Sequence, residues 1–281
     1  MRLDTQKHDR DAAGFTYVYP VVSRRAQGVS IGVNLNPNNA CNWRCAYCQV
    51  PGLSRGNGPE IDLDQLEREL LAMLNDVVDG DFMERAVPEG SRRLNDVALS
   101  GNGEPTTSRQ FDEALEVVER VLAKLRLLGK IPVILITNGS LVHQERVQRG
   151  LERLAQMRGE VWFKLDSATA EGVRRLNDTG MGIERVAANL QTAAKLCPTR
   201  VQTCALAFDG EPPSEGEQEA YLGFLEQRLS TGCNLGGVLL YGLERKSYQP
   251  EASRIEKLPQ SWLEAFAARI RALGLEVSVH A

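Results

Sequence analysis

Short apolar segments alternate with stretches of helical periodicity along most of the chain. This alternation predicts repeated βα units around a parallel sheet. Seven segments have the length and composition of strands: 30–36, 96–100, 132–137, 161–166, 201–208, 237–241 and 275–279. Six or seven parallel strands fit an α/β fold built as a barrel or a partial barrel.

Capping residues mark where two of the intervening helices begin. Asp62 precedes a stripe of leucines spaced three and four apart, and Gln65 stands at the third position after it. Ser214 and Glu217 have the same spacing, S-x-x-E, which is typical of a capping box. We expect the helices that follow to pack on the outside of the strands.

Alternation within the strands predicts which side chains face the inside of the barrel. In the segment VWFKLD the apolar residues at 161, 163 and 165 share one face, so Lys164 and Asp166 share the other. The same reasoning adds further polar residues to the inner face: Ser30, Asn34, Asn36, Gln202 and Cys204. Each residue alone could be a solvated strand end, but the phase they share predicts a polar substrate pocket.

Composition places the chain among soluble globular proteins. It has 281 residues, of which 42% are hydrophobic and 25% charged, and no apolar stretch approaches the roughly 20 residues of a membrane-spanning helix. The first residues are charged where a signal peptide is apolar, so we expect a cytoplasmic protein with reduced or metal-bound cysteines. The net charge of -4 gives no overall attraction to a polyanion. We expect an N-terminal extension over residues 1–29 and one domain over residues 30–281.

The segment NPNNACNWRCAYCQVPG carries three cysteines, Cys41, Cys45 and Cys48, directly after the first predicted strand. Thiolates spaced C-x3-C-x2-C can meet at one metal centre if the chain loops around it. A four-iron cubane cluster normally takes four thiolates, so three would leave one iron open to another ligand. The plainer alternatives are a structural zinc site or unrelated thiols, but a zinc module usually adds a second closely spaced pair, and none follows here.

Two polar turns follow later predicted strands. Residues 100–106 read SGNGEPT, where glycines allow the backbone to approach a ligand and Glu104 offers a carboxylate. Residues 136–140 read ITNGS and place Asn138 at the carboxyl edge of the sheet, where parallel α/β folds bind ligands. Either turn alone could be an ordinary strand exit.

The cysteine pattern, with the aromatic Tyr47 just before the last cysteine, resembles the signature of the radical S-adenosylmethionine (radical SAM) superfamily. The resemblance implies a partial (β/α)6 TIM-like barrel of parallel strands with outer helices. It also implies a [4Fe-4S] cluster on the three cysteines, with the amino and carboxylate groups of S-adenosylmethionine on the fourth iron. SGNGEPT is similar to the Gly-Gly-Glu-Pro motif that holds the methionine amino group in this family. The cofactor contacts implied are therefore Tyr47, Gly101, Gly103, Glu104 and Asn138.

The resemblance also implies the chemistry. A low-potential donor, a flavodoxin or a ferredoxin, reduces the cluster, and cleavage of S-adenosylmethionine gives a 5′-deoxyadenosyl radical that takes a hydrogen atom from the substrate. Lys164 and Asp166 are the candidates for substrate contact or proton transfer. The substrate, a small molecule or an RNA, is left open.

The order of CNWRCAYCQ, SGNGEPT, ITNGS, FKLDS and LYGLERKSYQP is similar to the radical SAM proteins grouped with the tRNA wyosine-base synthases. This implies, as an alternative, a reaction that builds a tricyclic base from N1-methylguanosine in tRNA and pyruvate. The characterised type carries a second cluster upstream of the triad, whereas this sequence has no cysteine before Cys41.

Two alternatives lie outside this chemistry. One is an iron–sulfur electron carrier without catalysis. The other is an RNA-binding scaffold with a structural cluster, for which the only hint is a set of arginines near the expected mouth: Arg44, Arg55, Arg92 and Arg93. Cys197, Cys204 and Cys233 lack a recognised ligand spacing and are expected to be buried thiols, with an auxiliary cluster as the alternative.

Overall fold

The computed structural model describes residue 3, residues 14–23 and residues 28–280. Its centre is an eight-stranded sheet in which the strands lie side by side in chain order. The strands are β1 (Val18–Ser23), β2 (Gly28–Val33), β3 (Leu94–Leu99), β4 (Val133–Thr137), β5 (Glu160–Lys164), β6 (Thr199–Cys204), β7 (Leu235–Tyr241) and β8 (Val277–His280). Because β2 to β8 are all parallel, the α/β fold predicted from the sequence, a partial barrel of parallel strands, is confirmed.

One or two helices connect each parallel strand to the next. They are α1 (Leu63–Val78), α2 (Phe82–Ala86), α3 (Phe111–Lys124), α4 (Glu145–Gln156), α5 (Ala170–Asn177), α6 (Ile183–Leu196), α7 (Glu215–Ser230) and α8 (Gln260–Arg271). Two short strand pairs lie outside the main sheet: Ala40–Cys41 with Ser54–Arg55, and Ala207–Phe208 with Ile255–Glu256. Within the described residues, every helix is too short or too polar to cross a membrane.

The predicted helix starts are confirmed by their caps. The side chain of Asp62 accepts a hydrogen bond from the backbone of Gln65 at 2.9 Å. At the start of α7, Ser214 and Glu217 exchange both hydrogen bonds of a capping box. These local signals fix where α1 and α7 leave the sheet edge.

An antiparallel strand that the sequence analysis did not assign forms one edge of the sheet. In β1, Val18 lies opposite Val33 of β2. Pro20 lacks a backbone donor, which a strand tolerates at an edge. The carboxylate of Glu69 on α1 fixes the residues just before β1 by accepting from two backbone amides. Residues 1–2, 4–13 and 24–27 of the expected N-terminal extension lie outside the described residues.

The two faces of the sheet differ as the alternation predicts. The outer side chains of the strands pack against the helices and are fully buried, among them Ile31, Val33, Val97, Leu135, Phe163 and Val201. The inner side chains of Ser30, Lys164 and Gln202 line a cavity inside the barrel. The other predicted inner residues, Asn34, Asn36, Asp166 and Cys204, lie near the carboxyl rim and do not line that cavity.

Candidate active site at the cysteine loop

A cavity of about 640 Å³ occupies the inside of the barrel and its carboxyl end. Its wall includes nine of the ten site residues predicted from the sequence: Cys41, Tyr47, Cys45, Cys48, Gly101, Gly103, Glu104, Asn138 and Lys164. The tenth, Asp166, lies behind the wall and binds Tyr47. The volume is within the usual range for sites that bind small molecules and cofactors.

The cysteine loop (residues 37–53) is fixed through its backbone by two distant segments. Its Ala46 amide donates to the carbonyl of Leu176 in α5 at 2.8 Å. The hydroxyl of Ser247 donates to the carbonyl of Ala46 at 2.7 Å, and the amide of Tyr248 donates to the carbonyl of Cys48 at 3.0 Å. Because both segments are far away in sequence, the completed fold, rather than the loop alone, sets the positions of the cysteines.

Ion pairs add a second attachment of the loop. The guanidinium of Arg44 donates two hydrogen bonds to Glu251 at 3.0 Å and one to Asp178 at 2.8 Å. Arg55 also pairs with Asp178. These are two of the four arginines that hint at an RNA surface, and both are already engaged with carboxylates of the same chain.

The cysteine loop offers three sulfur donors to one cavity. In the described part of the chain, no three His, Cys, Asp or Glu side chains lie close enough to hold one metal ion. A zinc site needs that arrangement, whereas a four-iron cube spreads its thiolate ligands over separate corners. The three cysteines are half-buried around one cavity, so the residues present fit a [4Fe-4S] cluster.

Without a metal, Cys41 and Cys45 are thiols. Burial raises the pKa of Cys41 to about 12 and that of Cys45 to about 11. Thiolates are the form that binds metal, so cluster assembly has to displace protons from both groups.

Glu104 joins the two polar turns. Its carboxylate accepts four hydrogen bonds of 2.5–3.1 Å, from the amide and hydroxyl of Thr106, the hydroxyl of Thr137 and the amide of Asn138. Burial raises the pKa of Glu104, and these hydrogen bonds oppose that shift. Three of these hydrogen bonds end on Oε1 and one ends on Oε2, so Oε2 keeps an acceptor position on the cavity side. Glu104 therefore positions the turn after β4 against the turn after β3.

Glu104→Gln is expected to lower the free energy of unfolding of the apo-protein by about 1–3 kcal/mol. The amide group would bring N–H donors against the donors of Thr106, Thr137 or Asn138, leaving buried groups unpaired. Urea unfolding followed by circular dichroism measures the change. Glu60→Gln is the matched control, because Glu60 is exposed and its change should stay within about 0.5 kcal/mol. Equal unfolding free energies for the two variants would contradict this role of Glu104.

Two glycines of the SGNGEPT turn allow it to pack on the cysteine loop and on β2. A Cβ atom at Gly103 would lie 2.0 Å from the carbonyl oxygen of Ala40, and one at Gly101 would lie 2.3 Å from Oδ1 of Asn34. Asn102, between them, donates from its backbone to the same Asn34 oxygen at 3.1 Å. The two glycines thus allow the turn to approach other protein groups closely, and both also line the cavity.

Asn138 ties the turn after β4 to the cysteine loop. Its side-chain nitrogen donates to Oδ1 of Asn42 at 2.8 Å, and Asn42 in turn donates to the hydroxyl of Ser140 at 2.7 Å. Asn42 was missed by the sequence analysis, although an amide directly after Cys41 was a signal that could have found it. Through these hydrogen bonds, the turn after β4 is connected to the residue next to Cys41.

Lys164 places a positive charge on the cavity wall. Its ammonium donates to the hydroxyl of Tyr241 at 3.1 Å and lies 4.8 Å from the ring centroid of Tyr47. Burial lowers the pKa of Lys164, but Tyr241, Asp166 and Cys45 outweigh it and raise the pKa well above its ordinary value. Lys164 is therefore a cation on the wall of the cavity.

Asp166 supports Tyr47 from outside the cavity. Its Oδ2 accepts from the hydroxyl of Tyr47 and from the side chain of Asn177 at 2.7 Å, and its Oδ1 accepts from the backbone of Cys204 at 2.9 Å. With three donors from the protein, the carboxylate is committed to holding Tyr47 in place under Lys164.

Several wall residues were absent from the sequence-based set: Tyr19, Asp96, Trp162, Tyr241 and His280. Trp162 shares the strand face of Lys164, so the alternation already pointed to it. Asp96 accepts from the hydroxyl of Ser30, and burial raises its pKa. Tyr19 and His280 come from the two edge strands, β1 and β8. The residue pattern within a single strand does not show where that strand lies in the barrel.

The other three cysteines do not line the cavity, although Cys204 packs in the same buried cluster as Tyr47. Cys197 precedes β6 and points its sulfur at the carbonyl of Gly159, Cys204 ends β6, and Cys233 precedes β7. All three are buried. Their burial agrees with the expectation of ordinary buried thiols, which rests on their irregular spacing.

Comparison with solved structures places the fold among known enzymes. A radical SAM methyltransferase from Sphaerobacter thermophilus aligns with a TM-score of 0.62 at 18% identity, covering 94% of this chain and 69% of that chain. A structure of TYW1 with a lysine-pyruvate adduct bound aligns with a TM-score of 0.57 at 16% identity, covering 88% of this chain and 74% of that one. At these identities the alignments establish a shared fold.

Sequence comparison gives the family. The UPF0026 protein slr1464 of Synechocystis is 23% identical over 181 residues, which cover 63% of this chain and 59% of that protein. The UPF0026 protein MJ1312 of Methanocaldococcus jannaschii is 28% identical over 158 residues, 56% of this chain and 42% of that protein. The match thus spans less than two thirds of either relative. The model of the Radical SAM superfamily matches residues 35–220, and the chain therefore belongs to that superfamily, whose enzymes use a [4Fe-4S] cluster and S-adenosylmethionine.

Proposed function

We propose that this chain holds a [4Fe-4S] cluster on Cys41, Cys45 and Cys48 and uses S-adenosylmethionine to take a hydrogen atom from a substrate inside the barrel. One observation carries the proposal: the three cysteines share one cavity with the SGNGEPT turn, Asn138 and Lys164. An electron carrier without catalysis would need neither this cavity nor its polar wall.

When bound, the cluster and S-adenosylmethionine supply a 5′-deoxyadenosyl radical. The protein's own residues supply position and exclusion of water. The backbone of Gly101 and Gly103 lies on the cavity wall and offers contacts to the methionine part. Tyr47 and Lys164 form the wall next to Cys45, with Asp166 holding Tyr47 from behind.

The substrate site lies deeper, where the strands β2 to β6 face the lumen. Ser30, Asp96 and Gln202 offer polar contacts there, and Trp162 offers an apolar surface. A polar site of this kind inside the barrel suits a small polar molecule. The paired charges of Arg44 and Arg55 and the net charge of -4 speak against a tRNA substrate, since tRNA binding relies on free cations at phosphates.

The electron donor we propose is a low-potential flavodoxin or ferredoxin. The cysteine loop lies at the carboxyl rim of the barrel, and Cys41, Cys45 and Cys48 are each only partly buried. A partly buried cluster can receive an electron without a large movement of the chain.

Anaerobic reconstitution with iron and sulfide tests the proposal. We expect a brown protein with about four iron atoms per chain, as a [4Fe-4S] cluster requires. With dithionite and S-adenosylmethionine it should slowly form 5′-deoxyadenosine and methionine, measured by chromatography. Protein that takes up one zinc instead, or a loaded cluster that never cleaves the cofactor, would contradict the proposal. Deuterated small metabolites and tRNA, added separately, would then show by label transfer into 5′-deoxyadenosine which class supplies the hydrogen.

A further inference from the structure

The side chain of Asn177 lies between the cysteine loop and Asp166. Asn177 is the last residue of α5 and is 2% exposed. Its amide nitrogen donates one hydrogen bond to Sγ of Cys45 at 3.4 Å and another to Oδ2 of Asp166 at 2.7 Å. A carboxamide has two N–H donors, so both are directed at groups that carry negative charge once Cys45 is a cluster ligand.

The backbone fixes this amide in place. The amide of Arg44 donates to the carbonyl of Asn177 at 3.2 Å, and the amide of Ala46 donates to the carbonyl of Leu176 at 2.8 Å. Asp178, which follows in the left-handed conformation with φ of 46°, pairs with Arg44. Hydrogen bonds and an ion pair thus join the end of α5 to the segment on both sides of Cys45, which holds the N–H group on the sulfur.

We propose that Asn177 is a positioning residue that raises the reduction potential of the cluster through its hydrogen bond to the Cys45 sulfur. The inference rests on the proposed function, because it requires the cluster. A cluster gains negative charge on reduction, and an N–H dipole directed at a ligand sulfur stabilises the more negative state. The same amide separates the Asp166 carboxylate from the thiolate, so it also removes an unfavourable contact between two negative groups.

Asn177→Leu tests the proposal because leucine has nearly the same size and no donor. A redox titration of the reconstituted protein, followed by electron paramagnetic resonance without S-adenosylmethionine, gives the midpoint potential. We expect the ratio of reduced to oxidised cluster at the wild-type midpoint to fall about three- to tenfold. For a one-electron couple with 59 mV per tenfold change, this is a shift of roughly 30–60 mV to lower potential.

Asp178→Asn is the matched control at the next position. Asparagine tolerates the left-handed conformation, and the change removes the charge that pairs with Arg44 while leaving the amide of Asn177 on Cys45. Loss of a negative charge near the cluster should leave the midpoint unchanged or raise it. The same lowering in both variants would show a general disturbance of the loop and would overturn the proposal.

Asn177→Ser gives a second reading if leucine disturbs packing. Serine is small and polar, but its hydroxyl is too short to replace both hydrogen bonds, so we expect a lowering in the same direction. A folded, fully loaded serine variant with the wild-type midpoint would contradict the role of Asn177. Wild-type protein that assembles no cluster would instead contradict the proposed function, so the two failures are distinguishable.

Discussion

Cys45→Ala is expected to abolish both the brown colour of the reconstituted protein and its cleavage of S-adenosylmethionine. The variant leaves two thiolates for a cluster that needs three protein ligands to keep one iron open. It also removes the sulfur that accepts a hydrogen bond from Asn177 and that interacts electrostatically with Lys164. The loss is measured by iron and sulfide content, by the visible absorbance of the cluster and by 5′-deoxyadenosine formation. All three signals should fall to background.

Cys233→Ala is the control for the cysteine change itself. Cys233 is buried and does not line the cavity, so its variant should bind as much iron as the wild type and cleave the cofactor at the same rate. Cofactor cleavage that survives in Cys45→Ala would contradict the assignment of the triad. Equal iron loss in both variants would show that any lost cysteine destabilises the chain, and the triad would then have no special role.

Much of the fold could be predicted from the sequence because its signals are local. The seven parallel strands, the caps at Asp62 and Ser214, and the inward direction of Lys164 all follow from residues within one element. Strand β1 could not be found this way. Its pairing with β2 and its attachment to Glu69 are contacts between distant parts of the chain, and Pro20 weakens the strand signal.

The location of the site could also be predicted from local signals, whereas the roles of its residues could not. The cysteine spacing and the polar turns at strand ends identified where ligands would bind, since parallel strands bring their carboxyl ends to one edge. What each residue does there depended on contacts across the barrel. Glu104 and Asp166 are predicted to contact cofactor or substrate, and the structure adds protein partners for both: Glu104 accepts four hydrogen bonds, three of them on Oε1, and Asp166 accepts three. Whether a carboxylate is free or engaged is a property of its partners, which the sequence around it does not specify.

Gly103→Ala is expected to lower the cluster content about tenfold and to destabilise the apo-protein by about 1–3 kcal/mol. The added Cβ would lie 2.0 Å from the carbonyl oxygen of Ala40, a distance at which the backbone has to move. That carbonyl accepts a hydrogen bond from Asn36 at 3.0 Å and directly precedes Cys41. Displacing it moves the first ligand of the cluster and breaks a buried hydrogen bond. Iron per chain after reconstitution and urea unfolding of the apo-protein measure the two effects.

Gly56→Ala makes the same chemical change on the other side of Ala40. There the added Cβ would lie 3.5 Å from the Ala40 side chain, which is ordinary contact, and Gly56 keeps the N–H that donates to the carbonyl of Cys41. Replacing glycine by alanine in a compatible conformation stabilises a chain by up to about 1 kcal/mol, since the unfolded state loses freedom. The control should therefore load normally and be at least as stable as the wild type. If Gly103→Ala loads its cluster as well as Gly56→Ala does, the glycine is not needed for packing on the cysteine loop, and its place on the cavity wall would then be explained by the cofactor alone.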